Sequence, residues 1–356
     1  MNKILSIIVP SYNMEAYLSK CLGSLVVDDE DLLQKLDVII VNDGSKDRTS
    51  EIAHEYAEKY PGVFRVIDKL NGNYGSCINT ALSVLEGEYV KILDADDSFT
   101  NDNFSCFLDF LTHTHADMVL TDTIYLDDST GDTTAVINYK LPKEVAVSVE
   151  DVLVKYIYIN MNTITYRSSI FQGGWYKQTE GISYTDTQWS ILPLSKIRTV
   201  FYFPKTVYRY TVARSGQTME AVTIAKNFWM MAKCALDTVR QYIVICEDIK
   251  GKHRELMDSR IIRFASLPYN RPFKKVNGVK YNIDLETYDR DLKDISQWIY
   301  DAVGEIQSGG YIKCKCAANW RRHSINGYLR LRLFAMANVW ISQLGTFRRK
   351  IKRMFK

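Results

Sequence analysis

Glu88-Tyr-Val-Lys-Ile-Leu-Asp-Ala-Asp-Asp97 is the stretch from which the rest of the chain can be read. Its first six residues form a short apolar, β-prone run of the length expected for a buried strand. Three aspartates, Asp94, Asp96 and Asp97, follow at once. Carboxylates packed this closely repel one another. A chain that places Asp94 and Asp96 two residues apart in a loop has a use for a hard cation between them. Mg²⁺ and Mn²⁺ prefer such oxygen ligands and keep waters or phosphate oxygens in their shells. The plainer reading is a solvated loop whose aspartates cap a following helix.

Upstream, similar apolar runs occur at 5–9, 36–41 and 63–67. They are separated by helical periodicity at roughly 14–26, 47–59 and 74–85. Asp47, Ser50 and Glu51 suit a helix start, and Pro61-Gly62 marks its stop. Alternation of strand and helix at this spacing predicts βαβ units and an α/β fold with a mostly parallel sheet. Ligands of such sheets bind at the carboxyl ends of the strands. Segments 10–13, 42–45, 70–75 and 94–97 all fall at that edge. In the second of them, Gly44 permits a tight turn and Asp43 can accept hydrogen bonds from a base or ribose; an Asx-type turn is the alternative. Asn71-Gly-Asn-Tyr-Gly75 combines close backbone approach with amide donors and acceptors. It is not a GxGxxG fingerprint, and there is no Walker lysine motif, so the chain lacks the hardware of dinucleotide oxidoreductases and phosphate-loop ATPases.

Beyond residue 117 the pattern loosens. Runs at 117–126 and 133–139 predict a hairpin, a helix is expected near 149–157, and a strand near 161–166. Runs at 199–203 and 206–210 predict two strands joined at Pro204. Asp186 stands at the start of a helix running through Trp189 and Leu192. It is the best-placed base outside the sheet edge, against the ordinary reading of a cap. Arg209 and Arg214, flanking Tyr210, are placed to neutralise a diphosphate from a mobile loop, against the ordinary reading of surface charge. A long helix is expected at 220–247, shorter helices to about 266, a linker at 267–281, and helix again at 289–307. None of the five histidines sits in a ligand spacing, and the seven cysteines read mostly as buried apolar residues of a reducing compartment.

The 356 residues can bury one catalytic domain of roughly 200–250 residues and an appendage. Charge is segregated: residues 306–356 carry twelve Lys or Arg and no acid, leaving 33 basic against 42 acidic residues before them. Ile325, Leu329, Leu333, Met336 and Trp340 recur at helical spacing, and Phe347, Ile351, Met354 and Phe355 alternate with five cations. Such a helix can lie in an anionic membrane interface or pack on the acidic body. The opening apolar run is too short for a signal peptide, and no stretch approaches 18 uninterrupted apolar residues. Nucleic-acid binding through the tail is the weakest alternative, and no nucleic acid is expected as a partner, because the tail lacks a known reading motif and the body is acidic.

In order and spacing these motifs resemble the inverting glycosyltransferase family 2, whose catalytic domain has the GT-A fold. Ile7-Ile-Val-Pro-Ser-Tyr-Asn-Met-Glu15 is similar to its opening strand and nucleotide-facing loop. Ile39-Ile-Val-Asn-Asp-Gly-Ser-Lys-Asp-Arg-Thr49 is similar to its second motif, 71–79 to its asparagine–glycine turn, and 94–97 to its DxD metal motif. The resemblance implies that Pro10, Tyr12, Asp43 and Asn71 hold a uridine nucleotide. It implies that Asp94 contacts ribose or the metal-water shell, and that Asp96 is the principal ligand of Mn²⁺ or Mg²⁺. Asp186 falls where the family carries its catalytic base, although Thr185 replaces the glutamate that often precedes it. The segment from Tyr210 through Arg214 to Thr218 resembles the acceptor-side loop of bacterial surface-polysaccharide members. Gln188-Trp189 is not the QxxRW of processive polymerases, so addition of one sugar is expected.

The expected organisation is a GT-A domain at 1–218, with a nucleotide-sugar half at 1–100 and an acceptor half at 101–218. A helical extension at 219–310 and a basic tail at 311–356 follow. The expected partners are a UDP-sugar, a glycan or lipid-linked acceptor, and the inner face of the cell membrane, from the cytoplasm. The alternative is a non-catalytic nucleotide- or carbohydrate-binding protein of the same fold.

Overall fold

Apolar runs at the start of the chain become strands because both of their faces are covered. The computed structural model describes residues 3–136, 138–143, 145–212, 221–270, 275–307, 314–322, 333, 336 and 337. Every residue of β1 (Leu5–Ser11) is buried. The chain continues through α1 (Leu18–Gly23) and α2 (Glu30–Leu33) into β2 (Leu36–Asn42), again buried throughout. Then come α3 (Thr49–Lys59), β3 (Phe64–Asp68), α4 (Asn73–Leu82), β4 (Tyr89–Ile92) and the short β5 (Ser98–Phe99). After α5 (Asn101–Leu111) lie β6 (Met118–Asp127), β7 (Thr133–Val136), β8 (Ala146–Ser148), α6 (Val149–Lys155), β9 (Ile164–Arg167), α7 (Asp186–Ile191) and β10 (Thr199–Val212).

Among the described residues the main sheet has ten strands, in the order β3-β2-β1-β4-β9-β6-β10-β5, with β7 on β6 and β8 on β10. β1 pairs in parallel with β2 and β4, and β2 with β3, while β9 enters antiparallel between β4 and β6. Side chains alternate across a strand. Ile7 and Val9 therefore join Leu18, Leu22, Ile52 and Phe104 in the core on one face, and α4 packs on β1 and β2 from the other. A fully buried Ile, Val or Leu contributes about 1.5–3 kcal/mol relative to exposure. The strands of the parallel half accordingly read as nearly unbroken apolar runs. At its amino edge Asp37 is held by Arg65 at 2.6 Å and Ser6 Oγ at 2.5 Å, which leaves the carboxyl edge for chemistry.

The predicted hairpin forms between β6 and β7. The two strands expected around Pro204 are one strand, β10. Its register against β6 shifts between Phe203 and Thr206 and again between Thr206 and Tyr208. Pro204 is exposed. Bulging at this point lets a residue without an N–H sit inside a continuous ladder.

By contact the chain divides into two units, one from Met1–Ser215 with Ile249–Leu256, the other from Gly216–Asp248 with Met257–Lys356. The later elements are α8 (Ala221–Lys226), α9 (Phe228–Ile245), α10 (Gly251–Ser266), the two-stranded β11 (Lys275–Val276) and β12 (Val279–Lys280), α11 (Leu285–Ile295), α12 (Gln297–Glu305) and α13 (Cys316–Arg322). α10 is a single helix where shorter ones were expected, and the expected linker contains the β11–β12 hairpin. The helix expected at 289–307 is two, because Ser296 turns extended and caps α12 by accepting the Ile299 N–H. Within the second unit, Arg321 lies 3.4 Å from the Tyr300 ring centroid and donates to Asp289 at 2.8 Å, while Lys315 pairs with Glu305. Two cations of the basic segment thus face protein acids. Residues 323–332 and 338–356, which hold most of the predicted amphipathic tail, lie outside the described residues.

Candidate active site

The acidic turn after β4 is hung from β10. The Tyr208 hydroxyl donates to Asp97 Oδ2 at 2.7 Å and accepts the Asp94 N–H at 3.2 Å, and the Thr211 N–H donates to Asp97 Oδ1 at 2.7 Å. Asp97 is buried, and desolvation with the neighbouring Asp94 and Asp96 lifts its pKa well above the carboxylate range. It anchors the turn from inside. Asp94 and Asp96, with buried Ala95 between them, remain half-buried at the edge.

Asp94 carries the strongest functional signature. Desolvation first, then the charge of Asp96, pushes its pKa up to about 7; the Tyr74 hydroxyl, donating to Oδ1 at 2.8 Å, pulls it back, and Asp186 adds to the rise. Asp94 and Asp186 also both act on the Tyr74 phenol, which burial raises well above its ordinary value. The fold has brought the acidic turn and the start of α7 within electrostatic reach of one another. Asp186 keeps contact with solvent, yet surrounding protein raises its pKa by desolvation against the pull of the Thr187 and Asp186 N–H groups. Thr185, the residue before it, is fully buried and is the N-cap position of α7.

At the next strand end, Asp43 is turned inward. It accepts Lys69 Nζ at 2.7 Å and the Gly72 N–H at 2.9 Å on Oδ1, and the Asn73 N–H at 2.8 Å on Oδ2. Asn71 Nδ2 donates to the Asp43 carbonyl at 3.0 Å. Gly44 has φ +73°, and a Cβ there would stand 3.1 Å from the Asn71 nitrogen, so this close approach needs glycine. Pro10 is buried beside Val41 near the end of β1, and Tyr12, 45% exposed, stands just beyond it. The structure thus brings Pro10, Asp43, Asn71 and Asp94 to one sheet edge. Asp43, read in the sequence as an acceptor for a base or ribose, here also braces the turn that carries Asn71.

Arg209 is a strand residue of β10 opposite Ser98, with its Nε buried and without a hydrogen-bond partner among the described residues. Arg214 lies outside the described residues. Among the described residues no three His, Cys, Asp or Glu side chains form a ready-made metal cage. Asp94 and Asp96 offer a pair of carboxylates whose crowding a hard divalent cation would relieve, with waters or phosphate oxygens completing its shell. The donor set fits such an ion.

Sequence reasoning missed several residues around this site. Tyr74 and Met161 touch, with the Tyr74 hydroxyl 3.2 Å from the thioether. Lys91 is fully buried and donates to the carbonyls of Asn162 at 2.8 Å and Ile164 at 3.1 Å, with Nζ 5.8 Å from the Tyr208 ring centroid. Desolvation alone lowers its pKa to about 7. A lysine inside an apolar strand was the available signal. Asn79, Gln178 and Gln188 gave none.

Residues 6–175 match the family model described as "Glycosyl transferase family 2". This segment is a family 2 glycosyltransferase domain. Over 304 residues, covering 85% of this chain and 48% of the relative, it is 25% identical to the poly(ribitol-phosphate) beta-N-acetylglucosaminyltransferase TarS of Staphylococcus aureus strain MW2. Over 129 residues, 36% of this chain and 14% of the relative, it is 33% identical to the minor teichoic acid biosynthesis protein GgaB of Bacillus subtilis strain 168. The matched regions span half or less of these relatives' own length. The crystal structure of S. aureus TarS 1-349 in complex with UDP-GlcNAc superposes with a TM-score of 0.63 at 19% identity, over 92% of this chain and 90% of that one. The likeness establishes the GT-A fold. Among the described residues, no helix is long and apolar enough to cross a membrane.

Proposed function

We propose that the family 2 domain transfers a single sugar, with inversion, from a UDP-sugar to a glycan or lipid-linked acceptor in cell-surface polysaccharide synthesis. The observation that supports this reading best is the meeting of Asp94 and Asp186. Carboxylates from distant segments fall within electrostatic reach of one another, and Tyr74 feels both. One side of such a site suits a metal-bound diphosphate and the other a base. UDP-GlcNAc, present in the TarS complex, is the first donor to test.

In this reading Pro10, Tyr12 and the Asp43-braced turn with Asn71 hold the uridine. Asp96, with Asp94, holds Mn²⁺ or Mg²⁺, and the ion when bound offsets the charge of the departing diphosphate. Asp186 accepts the proton of the acceptor hydroxyl; its raised pKa makes it a better base than an ordinary surface carboxylate. The acceptor oxygen forms its bond to the anomeric carbon from the face opposite UDP. The bond from that carbon to the phosphate oxygen breaks, and UDP leaves with the electron pair. Arg209 and Arg214 support the diphosphate or the acceptor. Residues 1–218 carry the catalysis, 219–310 extend it, and the basic tail brings the protein to anionic lipid at the cytoplasmic face of the membrane.

A screen of nucleotide release from UDP-, GDP- and dTDP-sugars, with and without Mn²⁺, tests this function. Metal-dependent hydrolysis confined to UDP-sugars and lost in Asp96→Ala is expected. Nucleotide binding without turnover on any donor or acceptor would instead favour a non-catalytic binding protein.

A further inference from the structure

The segment that delivers Asp186 is held by side-chain amides. Between the 3₁₀ turn Ser168–Phe171 and α7 there is neither helix nor strand. Asn79, on α4, bonds this segment with both ends of its amide: Nδ2 donates to the Gln178 carbonyl and Oδ1 accepts the Gln178 N–H, each at 2.8 Å, and Nδ2 also donates to Glu180 Oε1 at 2.8 Å. The fully buried Gln178 side chain reaches forward, and its Nε2 donates to the Thr185 carbonyl at 2.7 Å and to Thr185 Oγ1 at 3.1 Å. From the other side of Asp186, Gln188 Oε1 accepts the Thr179 N–H at 2.7 Å. The Gly181 N–H donates to the Gly72 carbonyl at 2.8 Å. Gly72 is the residue whose own N–H braces Asp43.

Buried amides are costly unless bonded. Gln178 Nε2 is spent on Thr185, the residue before Asp186, and Gln188, two residues after it, accepts the Thr179 N–H, its own Nε2 being buried without a hydrogen-bond partner among the described residues. The clip therefore ties the base-bearing segment to the turn that supports Asn71. Gly75 permits the contact, because a Cβ there would lie 2.0 Å from the Thr179 carbonyl oxygen. We propose that Gln178 and Asn79 are positioning residues for Asp186: they fix the direction of its carboxylate relative to the donor site. The inference rests on the reading of Asp186 as the base. A misplacement of about 1 Å at a reacting centre costs on the order of 10²-fold in rate.

Gln178→Met keeps the length of the side chain and removes its donors, and Asn79→Ala releases the same loop from α4. UDP release from UDP-GlcNAc with Mn²⁺ gives kcat and KM, and calorimetry gives UDP affinity. Each variant is expected to lose on the order of 10²-fold in kcat, with KM and UDP affinity within about threefold. The double variant should lose no more than the worse single, since both act through one loop. Should Gln178→Met fail to fold, Asn79→Ala carries the test. A kcat within about threefold of the parent in Asn79→Ala, while Asp186→Asn is inactive, overturns the positioning role and leaves the base reading intact. Parallel loss of kcat, UDP affinity and melting temperature marks a merely structural clip and overturns it as well. Normal turnover by Asp186→Asn removes the base reading itself.

Discussion

The Tyr74 hydroxyl donates a 2.8 Å hydrogen bond to Asp94 Oδ1, so a residue of the α4 turn holds the first carboxylate of the acidic turn. That bond opposes the desolvation and the Asp96 charge that push Asp94 up to about 7. Tyr74→Phe removes the opposition and should raise the Asp94 pKa by about one unit, near 1.4 kcal/mol. Mn²⁺-dependent UDP binding should weaken several-fold at pH 6.5 and recover by about pH 8.5. Calorimetry at the two pH values checks this.

The same carboxyl makes the free protein pH-sensitive. Its folded pKa lies above the ordinary 3.8, at about 7, so the folded chain holds a proton that the unfolded chain releases between these values. The stability it contributes is full below the lower value and is lost as pH rises through the upper one. Divalent cation with UDP should therefore raise the melting temperature more at about pH 8 than at about pH 5.5. Asp94→Asn should remove most of that difference, as thermal scans in a pH series would show.

Lys91 acts in the opposite sense. Its folded pKa is lowered from 10.5 to about 7, so between these values the unfolded chain binds a proton that the folded one does not. Stability from this group should climb as pH rises across that window, with a slope approaching about 1.4 kcal/mol per unit. Lys91→Met should flatten the limb, whatever its effect on absolute stability. Denaturant titrations at pH 7 and 9.5 compare the slopes.

Gly75→Ala places a Cβ 2.0 Å from the Thr179 oxygen and 2.8 Å from its carbonyl carbon, and backbone must move. A loss of about 1–3 kcal/mol in stability is expected, with a fall in turnover as the 178–185 segment shifts. Thermal melts and UDP release measure both.

The parallel half was legible because its strands are buried on both faces and read as unbroken apolar runs, as in Ile7–Val9 and Val38–Val41. The turns at 42–45, 70–75 and 94–97 followed, since such strands leave their carboxyl ends for ligands. Asp186 was singled out by its place after the motifs. Its nearness to Asp94 was invisible, being created by an irregular segment that Gln178, Asn79 and Gln188 fasten through backbone atoms. Long-range amide-to-backbone bonds leave no periodic signal. The inward turn of Asp43 was missed for a related reason: besides Lys69, its partners are the N–H groups of Gly72 and Asn73, which carry no sequence signal. Pro204 misled in the other direction, because a bulge lets β10 run through it.

The central claim is that Asp186 takes the acceptor proton while the acidic turn holds the metal-bound diphosphate. Its most direct test is single-turnover transfer by Asp186→Asn beside UDP affinity, both with Mn²⁺ and the donor chosen by the hydrolysis screen. Transfer should fall by at least about 10³-fold with UDP affinity within about threefold of the parent. Transfer at the parental rate would contradict the claim.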